Sequence, residues 1–460
     1  MSAKNRNLRL KNLATGLSAA LALAGLQSAA LAHALPTSRG NPAARVLFVT
    51  SCEDDNSTGT LRQVAAEAAN GDDINLSELS CADNTIVLTQ GELVFAHNVS
   101  LLGSASQPLT VTNGSGGRVI NSVSQDRPYP YLDIASVNIS GGSVIVDSGD
   151  ALGGCIFASG DLTLTGSTVS GCMASSSSGS ALGGAIYALN VNMASSRVTG
   201  SAAYASNDFQ PARGGAVHTG NFLCTDSTLS GNVATAKTAW SGQGGGAMVM
   251  GGSLALTRCT IDNNISAEGG GVSQFMYSDS TSLIENSTIS SNTATFAFGG
   301  VEVFCADCTA TAVQLFNSTI AFNTSGEGYA AGLFTNGSVL AQSSILAKNS
   351  NSTEGSSANA DLSAPALSGA NNLVMSTDVA PDGTAVGATD IGPITIQDDP
   401  ELLPLADNGG PTMTHALSET SPAMYAGNNI ARFATDQRSA GFERTCDDAT
   451  DMGSYQHQSD

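Results

Sequence analysis

The chain has 460 residues, of which 12% are charged and 51 are glycine, and 39 acidic against 17 basic side chains give a net charge of −22. Coiled coils and long solvated helices need far more Glu and Lys, and a disordered acidic tail needs less than the 41% apolar content present. Like charge excludes duplex nucleic acid and anionic membrane as partners, and the Ser, Thr, Asn and Gly that make up the bulk suit turn-rich β structure.

Residues 1–32 read as a signal peptide. Lys4, Arg6, Arg9 and Lys11 form a basic start, Leu13 to Leu26 an apolar stretch, and Ala30-Leu31-Ala32 a small-x-small cleavage site. The remainder is then exported, secreted or held at the cell surface, and more acidic still. No later apolar run reaches the ~18 residues of a membrane-crossing helix, so no stable span is expected after cleavage. In an oxidising compartment the nine cysteines read as a disulfide set: Cys52 with Cys81, Cys155 with Cys172, Cys224 with Cys259, Cys305 with Cys308 as a local bridge, and Cys446 left over.

Residues 45–146 predict an N-terminal cap and the first rungs of a stacked fold. The stretch from Gly59 to Gly71 predicts an amphipathic helix with Thr60 as N-cap, Gly71 as C-cap, and Leu61, Val64, Ala65 and Ala68 on one face. Strands are predicted at Thr85 to Thr89, Leu93 to Phe95, Val99 to Leu102, Leu109 to Thr112 and Val144 to Val146.

Residues 147–353 carry a repeat. Units open at Gly153-Gly154-Cys155-Ile156, Gly183-Gly184-Ala185-Ile186, Gly214-Gly215-Ala216-Val217, Gly245-Gly246-Ala247-Met248, Gly270-Gly271-Val272, Gly299-Gly300-Val301 and Ala331-Gly332-Leu333, 25 to 32 residues apart. Inside each unit lie short alternating runs such as Leu254-Ala255-Leu256-Thr257, then a Ser/Thr-apolar-polar run ending mostly in Asn. Period-two runs this short cannot bury a core alone, and stacking similar turns supplies one. The predicted class is therefore all-β, a right-handed parallel β-helix with a short N-terminal capping helix and an irregular C-terminal cap. Asn232, Asn264, Asn292, Asn323 and Asn349 are expected in left-handed corners, one above another, sharing amide hydrogen bonds. Inserts at Ala174 to Ser180, Ala202 to Ala212, Ala234 to Gly242 and Tyr277 to Thr281 are expected as loops along one corner. Residues 354–460, low in strand signal and then rich in Pro, Asp and Arg (Arg432, Arg438, Arg444), form the C-terminal cap.

These residues resemble bacterial exported right-handed β-helix proteins. Thr58-Gly59-Thr60-Leu61-Arg62 with Gly71-Asp72-Asp73-Ile74 is similar to the "GSLR…A…GDTI" opening of that group. The glycine units resemble those of polymorphic outer-membrane proteins. Leu403 to Thr412, Thr414-His415-Ala416-Leu417, Ser421-Pro422-Ala423 and Thr435-Asp436-Gln437-Arg438 look like the choice-of-anchor Q domain, with Gln456 where that pattern has an acid. The resemblance implies an exported cell-surface or extracellular protein.

Many β-helices are polysaccharide lyases or glycoside hydrolases. A lyase of the pectate-lyase-like type needs acidic Ca²⁺ ligands and an Arg or Lys base. The residues best placed to converge on neighbouring rungs are Arg213, His218 and Glu268. No Gly-His-Gly or central Asp pair marks a polygalacturonase-like site, and no residue set marks a metal site. No cofactor is called for, although the acidic surface, with Asp436, Asp447, Asp448 and Asp451 near the end, leaves Ca²⁺ open. The sequence therefore favours a non-enzymatic adhesion or glycan-binding module displayed on a surface. The alternatives are a lyase or glycosidase on the same scaffold, or a passive component of a cell coat. The aromatics Tyr204, Phe209, Trp240, Tyr277 and Phe296 discriminate: several sharing a groove with Arg213 or Lys237 favour catalysis. Oligomeric state is not readable.

Overall fold

The structure is a computed structural model that describes residues 44–124, 127–238, 241–277, 280–307, 311–326, 329–351, 361–376 and 395–458. The leader, Trp240 and Cys308 lie outside the described residues.

A regular central turn of chain is four short strands joined by tight corners. In one central turn these are Val272–Met276, Ser282–Glu285, Thr288–Ser290 and Thr293–Ala297. All four pair in parallel with their counterparts in the turns before and after. Among the described residues the stacks make one 19-stranded sheet, holding the first and second strands, and two 12-stranded sheets, holding the third and the fourth. The protein is an all-β parallel β-solenoid. Alternation sends every second side chain inward. Ile156, Ile186, Val217, Val272, Val301 and Leu333 form one such buried column. Each large apolar side chain buried this way contributes about 1.5–3 kcal/mol. A three-residue strand supplies only one or two of them, so stability comes from the stack.

Two corners set the path. Between the second and third strands a residue takes positive φ in turn after turn: Ser136, Gly166, Ser195, Asp226, Arg258, Asn286, Asn317, Ser343 and Asn371. The next residue is mostly serine, and its hydroxyl accepts the backbone N–H of the previous turn. Ser167 N donates to Ser196 Oγ at 3.1 Å, Ser196 N to Ser227 Oγ at 2.9 Å, Ser287 N to Ser318 Oγ at 3.1 Å and Ser318 N to Ser344 Oγ at 3.2 Å. Between the third and fourth strands stands the asparagine ladder. Nδ2 of Asn232, Asn264, Asn292 and Asn323 donates to Oδ1 of the next asparagine at 2.9–3.0 Å, and Asn349 ends the run on Asp361 at 2.8 Å. The left-handed residue there is not the asparagine but the one before it, Gly231, Asn263, Ser291, Phe322 or Lys348. The ladder residue keeps ordinary φ so that its amide can point inward along the axis.

The glycine pairs stack, with one change of alignment. Ala247 pairs with Val217, not with Ala216, so Gly244-Gly245-Gly246 replaces Gly214-Gly215-Ala216. From there Gly246, Gly271, Gly300 and Gly332 form their own column. A Cβ on any of them meets a carbonyl oxygen of the next turn at 2.3–2.6 Å.

Three disulfides join Cys52–Cys81, Cys155–Cys172 and Cys224–Cys259. Cys305 is also disulfide-bonded, and half-buried Cys446 stands outside the three pairs.

Other features depart from the sequence reading. The helix spans Leu61–Glu67, with Thr60 Oγ1 accepting from Gln63 N, and ends at Ala68. Asp72 takes the Ala69 N–H at 2.8 Å, which stops the next turn, and Gly71 instead bends the chain into Asp72–Asn75 at φ 92°. The inserts begin as strands of the fourth stack (Met173–Ser176, Ala202–Ala205, Val233–Ala236) and become loops only beyond them. The Tyr277 to Thr281 loop sits at a different corner, between the first and second strands. Regular stacking also continues past Thr353 through Leu362–Ser363, Leu367–Ala370 and Asn372–Val374.

Residues 400–458 pack against the solenoid. They run back along the flank of the third stack. Asn371 donates to Ala426 O, Asn317 to Asn428 O and Asn286 to Thr435 O, while Thr288 bonds Gln437 and Ser454, and Thr260 donates to Met413 O. Thr260–Asp262, Thr288–Ser290, Thr319–Ala321 and Ile345–Ala347 are accordingly buried on both faces, whereas Thr168–Ser170 buries only Val169. This strap is held by an apolar cluster, in which Leu417, Ala423 and Met452 pack with Ile345, Ala347 and Leu373, and by buried polar groups. Arg438 pairs with Asp436 at 2.7 Å between the Phe442 and Tyr455 rings. Fully buried Arg444 donates to Gly453 O and Asp451 O, and desolvation lowers its guanidinium to about 10.

Candidate functional site

The tight glycine corner puts two side-chain columns next to each other. The residue just before the corner gives Leu182, Arg213, Gln243 and Glu268 on successive turns. The outward residue just after it gives Phe157, Tyr187, His218, Met248, Ser273, Glu302 and Phe334. At ~4.8 Å per turn, Arg213 to Glu302 spans three steps along the axis.

Arg213, His218 and Glu268 meet at this corner, but not as a directly bonded triad. Arg213 Nε donates to Gln243 Oε1 at 2.8 Å, and Gln243 Nε2 donates to Glu268 Oε2 at 3.0 Å. His218 is only 8% exposed and stacks on Tyr187 at 5.3 Å, which stacks on Phe157 at 5.5 Å. Burial first, then the charge of Arg213, hold its imidazole down at about 3, so it is neutral in ordinary buffers. Burial also lowers Arg213 and raises Glu268, the latter against the pull of Gln243 and Arg213.

The sequence reading missed Glu302. It lies in Val301–Cys305, an ordinary apolar-looking strand, and only its register with His218 gives it away. It is 9% exposed, and the Ser273 hydroxyl donates to its Oε2 at 2.7 Å. Desolvation, then the nearby Glu268 carboxylate, push it up to about 7. The carboxyl is thus protonated where an unfolded glutamate, near 4.5, is not. Its stabilising balance is complete below about pH 4.5 and is lost as pH rises through 7, a difference of about 3 kcal/mol. Glu302→Gln is expected to remove that loss; denaturant titrations of both proteins at pH 4.5 and pH 8 measure it. An unchanged pH dependence in the variant would contradict the assignment.

A groove of about 450 Å³ runs over the first column, lined by Phe209, Pro211, Arg213, Ser241, Gln243, Glu268 and Phe296. Phe209 is 78% exposed. At the other end Phe296 meets Tyr329 at 5.7 Å, Phe298 meets Tyr329 at 5.4 Å, and Phe298 stacks on Phe334 at 4.0 Å. Of the aromatics singled out in the sequence, Phe209 and Phe296 therefore share a groove with Arg213. Tyr204 is exposed on a fourth strand, and Tyr277 packs edge-on to Phe275 at a different corner. Lys237 is tied to Asp208 at 3.0 Å.

Other polar clusters are structural. A second groove of about 480 Å³ surrounds Arg118 and Glu92, but that guanidinium is spent on Glu92, Leu152 O and Gly153 O. Ser290 and His415 meet at 2.8 Å, both sealed under the strap. Asp436 and Asp451 are buried and receive backbone N–H groups, while Asp447 and Asp448 sit in a turn between Cys446 and Ala449. The four do not form one cation cluster. Among the described residues no group of three or more His, Cys, Asp or Glu could hold a metal ion, and no helix is long and apolar enough to cross a membrane.

No family model matches the chain, and no curated protein matches it. Among solved structures, the crystal structure of pectate lyase Pel9A is similar over 90% of this chain and 96% of that one, at 14% identity and a TM-score of 0.41.

Proposed function

We propose that this is an exported glycan-binding solenoid that works at a cell surface or outside the cell, with the groove between Phe209 and Phe296 as its binding face. The observation that carries the reading is the pairing of ring platforms with a hydrogen-bonding line, Arg213–Gln243–Glu268, parallel to the axis. A saccharide chain needs both: apolar sugar faces stack on aromatic rings, and the hydroxyls need fixed donors and acceptors. Three disulfides fit an oxidising compartment, the basic-apolar leader fits export, and the choice-of-anchor Q resemblance of the C-terminal motifs fits surface display. The strong negative charge disfavours nucleic acid and acidic polymers as partners.

Screening the full-length protein on an oligosaccharide array tests this. Phe209→Ala is expected to weaken binding of any array glycan about tenfold, equal to 1.4 kcal/mol, without altering thermal unfolding, because the ring is exposed. Equal affinity of the variant removes the groove from the reading.

A further inference from the structure

We infer, resting on the glycan-binding reading above, that the groove selects an amino-sugar polymer bearing both N-acetyl and free amino groups, the acetamide carbonyl held at Arg213 and the ammonium at Glu268. The groove runs from basic to acidic. Arg213, Gln243 and Glu268 occupy one column on three successive turns, so a cation and an acid stand two turns apart, roughly 10 Å at ~4.8 Å per turn. Gln243 bridges them, accepting from Arg213 Nε at 2.8 Å and donating to Glu268 Oε2 at 3.0 Å. The bridge fixes one side of each charged group and leaves the other to a ligand. Among the described residues the two Nη atoms of Arg213 and Oε1 of Glu268 take no partner.

Each charged end has its own ring. Phe209 precedes Arg213 in the same loop, and Phe296 stands one turn beyond Glu268, on the strand whose Ala297 pairs with it. A sugar face stacks on either ring, and an ammonium is favoured both over an aromatic face and against a carboxylate. The ends also reject different ligands. A chain of amines alone sets a cation against Arg213. A uronate sets an anion against Glu268, on a protein whose net charge is −22. A chain of acetamides alone leaves Glu268 without a counter-ion, and the Glu268 charge already disfavours ionisation of Glu302 behind it. Only a mixed chain suits both ends.

The experiment titrates the full-length protein calorimetrically with chito-oligosaccharides of equal length that are fully acetylated, partly deacetylated or fully deacetylated, in slightly acidic buffer where the amines are protonated. The array of neutral glycans runs alongside. The partly deacetylated oligomer is expected to bind about tenfold more tightly than either of the others. Glu268→Gln should abolish its advantage over the fully acetylated oligomer, and Arg213→Gln its advantage over the fully deacetylated one. These shifts run in opposite directions, which a folding defect cannot imitate. Tightest binding of the fully deacetylated oligomer means attraction to the acidic surface at large and overturns the inference. Tightest binding of the fully acetylated oligomer, or of glycans without nitrogen, overturns it and leaves the glycan-binding reading standing. Absence of any glycan binding overturns both. Variants that keep the wild-type order of affinities overturn the assignment of Arg213 and Glu268.

Discussion

Asn292→Ala is expected to destabilise the middle of the solenoid by about 5 kcal/mol. The side chain accepts from Asn264 N and Asn264 Nδ2 at 3.0 Å each, and donates to Ile261 O and Asn323 Oδ1 at 2.9 Å each. Alanine leaves two buried donors, Asn264 N–H and one Asn264 Nδ2–H, without partners, each costing about 1–3 kcal/mol, and opens a small void. Each turn touches only its neighbours, so amide exchange should rise sharply around residues 261–323 and little near the N-terminal turns. Asn292→Ser should cost less. The first turns already use that solution, with Cys172 N donating to Ser201 Oγ at 3.2 Å. Equal losses from the two variants contradict the account.

Gly215→Ala is expected to be worse than its size suggests. An added Cβ lies 2.2 Å from Gly245 O and 2.6 Å from the Val233 backbone. All of these are main-chain atoms on adjoining strands, so no rotamer can relieve the contact. Overpacking of this kind costs at least about 1–3 kcal/mol, and here it pries two turns apart. Gly231→Ala is the contrast. Its φ is +66°, yet nothing lies within 4 Å of the added carbon, so only left-handed strain of about 1 kcal/mol is incurred. Thermal unfolding should rank wild type, Gly231→Ala, then Gly215→Ala with a much larger drop. Reversed order would mean that turn conformation, not close approach between turns, dictates the glycines.

The stack was legible because its signal is periodic: glycine pairs, short alternating strands and a recurring asparagine. What periodicity hides is position within a unit. Gly244-Gly245-Gly246 offers two ways to align a pair, and only pairing of Ala247 with Val217 chooses between them. The recurring asparagine marks the right column, but the left-handed turn belongs to the residue before it. Arg213, His218 and Glu268 could be gathered because neighbouring turns are close in space. Glu302 and Ser273 could not, because an acid or hydroxyl at an outward position looks solvated until the corner covers it. The strap was equally hidden: Thr260, Thr288 and Thr319 look like exposed strand residues, and only their seat under Gln437, Met413 and Ser454 buries them.

The strap also dictates an order of assembly. Residues 400–458 leave the ribosome after every turn they cover, so strands can pile up one by one while the flank from Thr260 to Ala347 still lacks its cover. Completion is a latch: a late-made stretch reaches back over early-made turns and shuts Arg438 and Arg444 inside. Losing it would not shorten the rod. It would strip one wall and leave turns that are fully stacked yet open along their side.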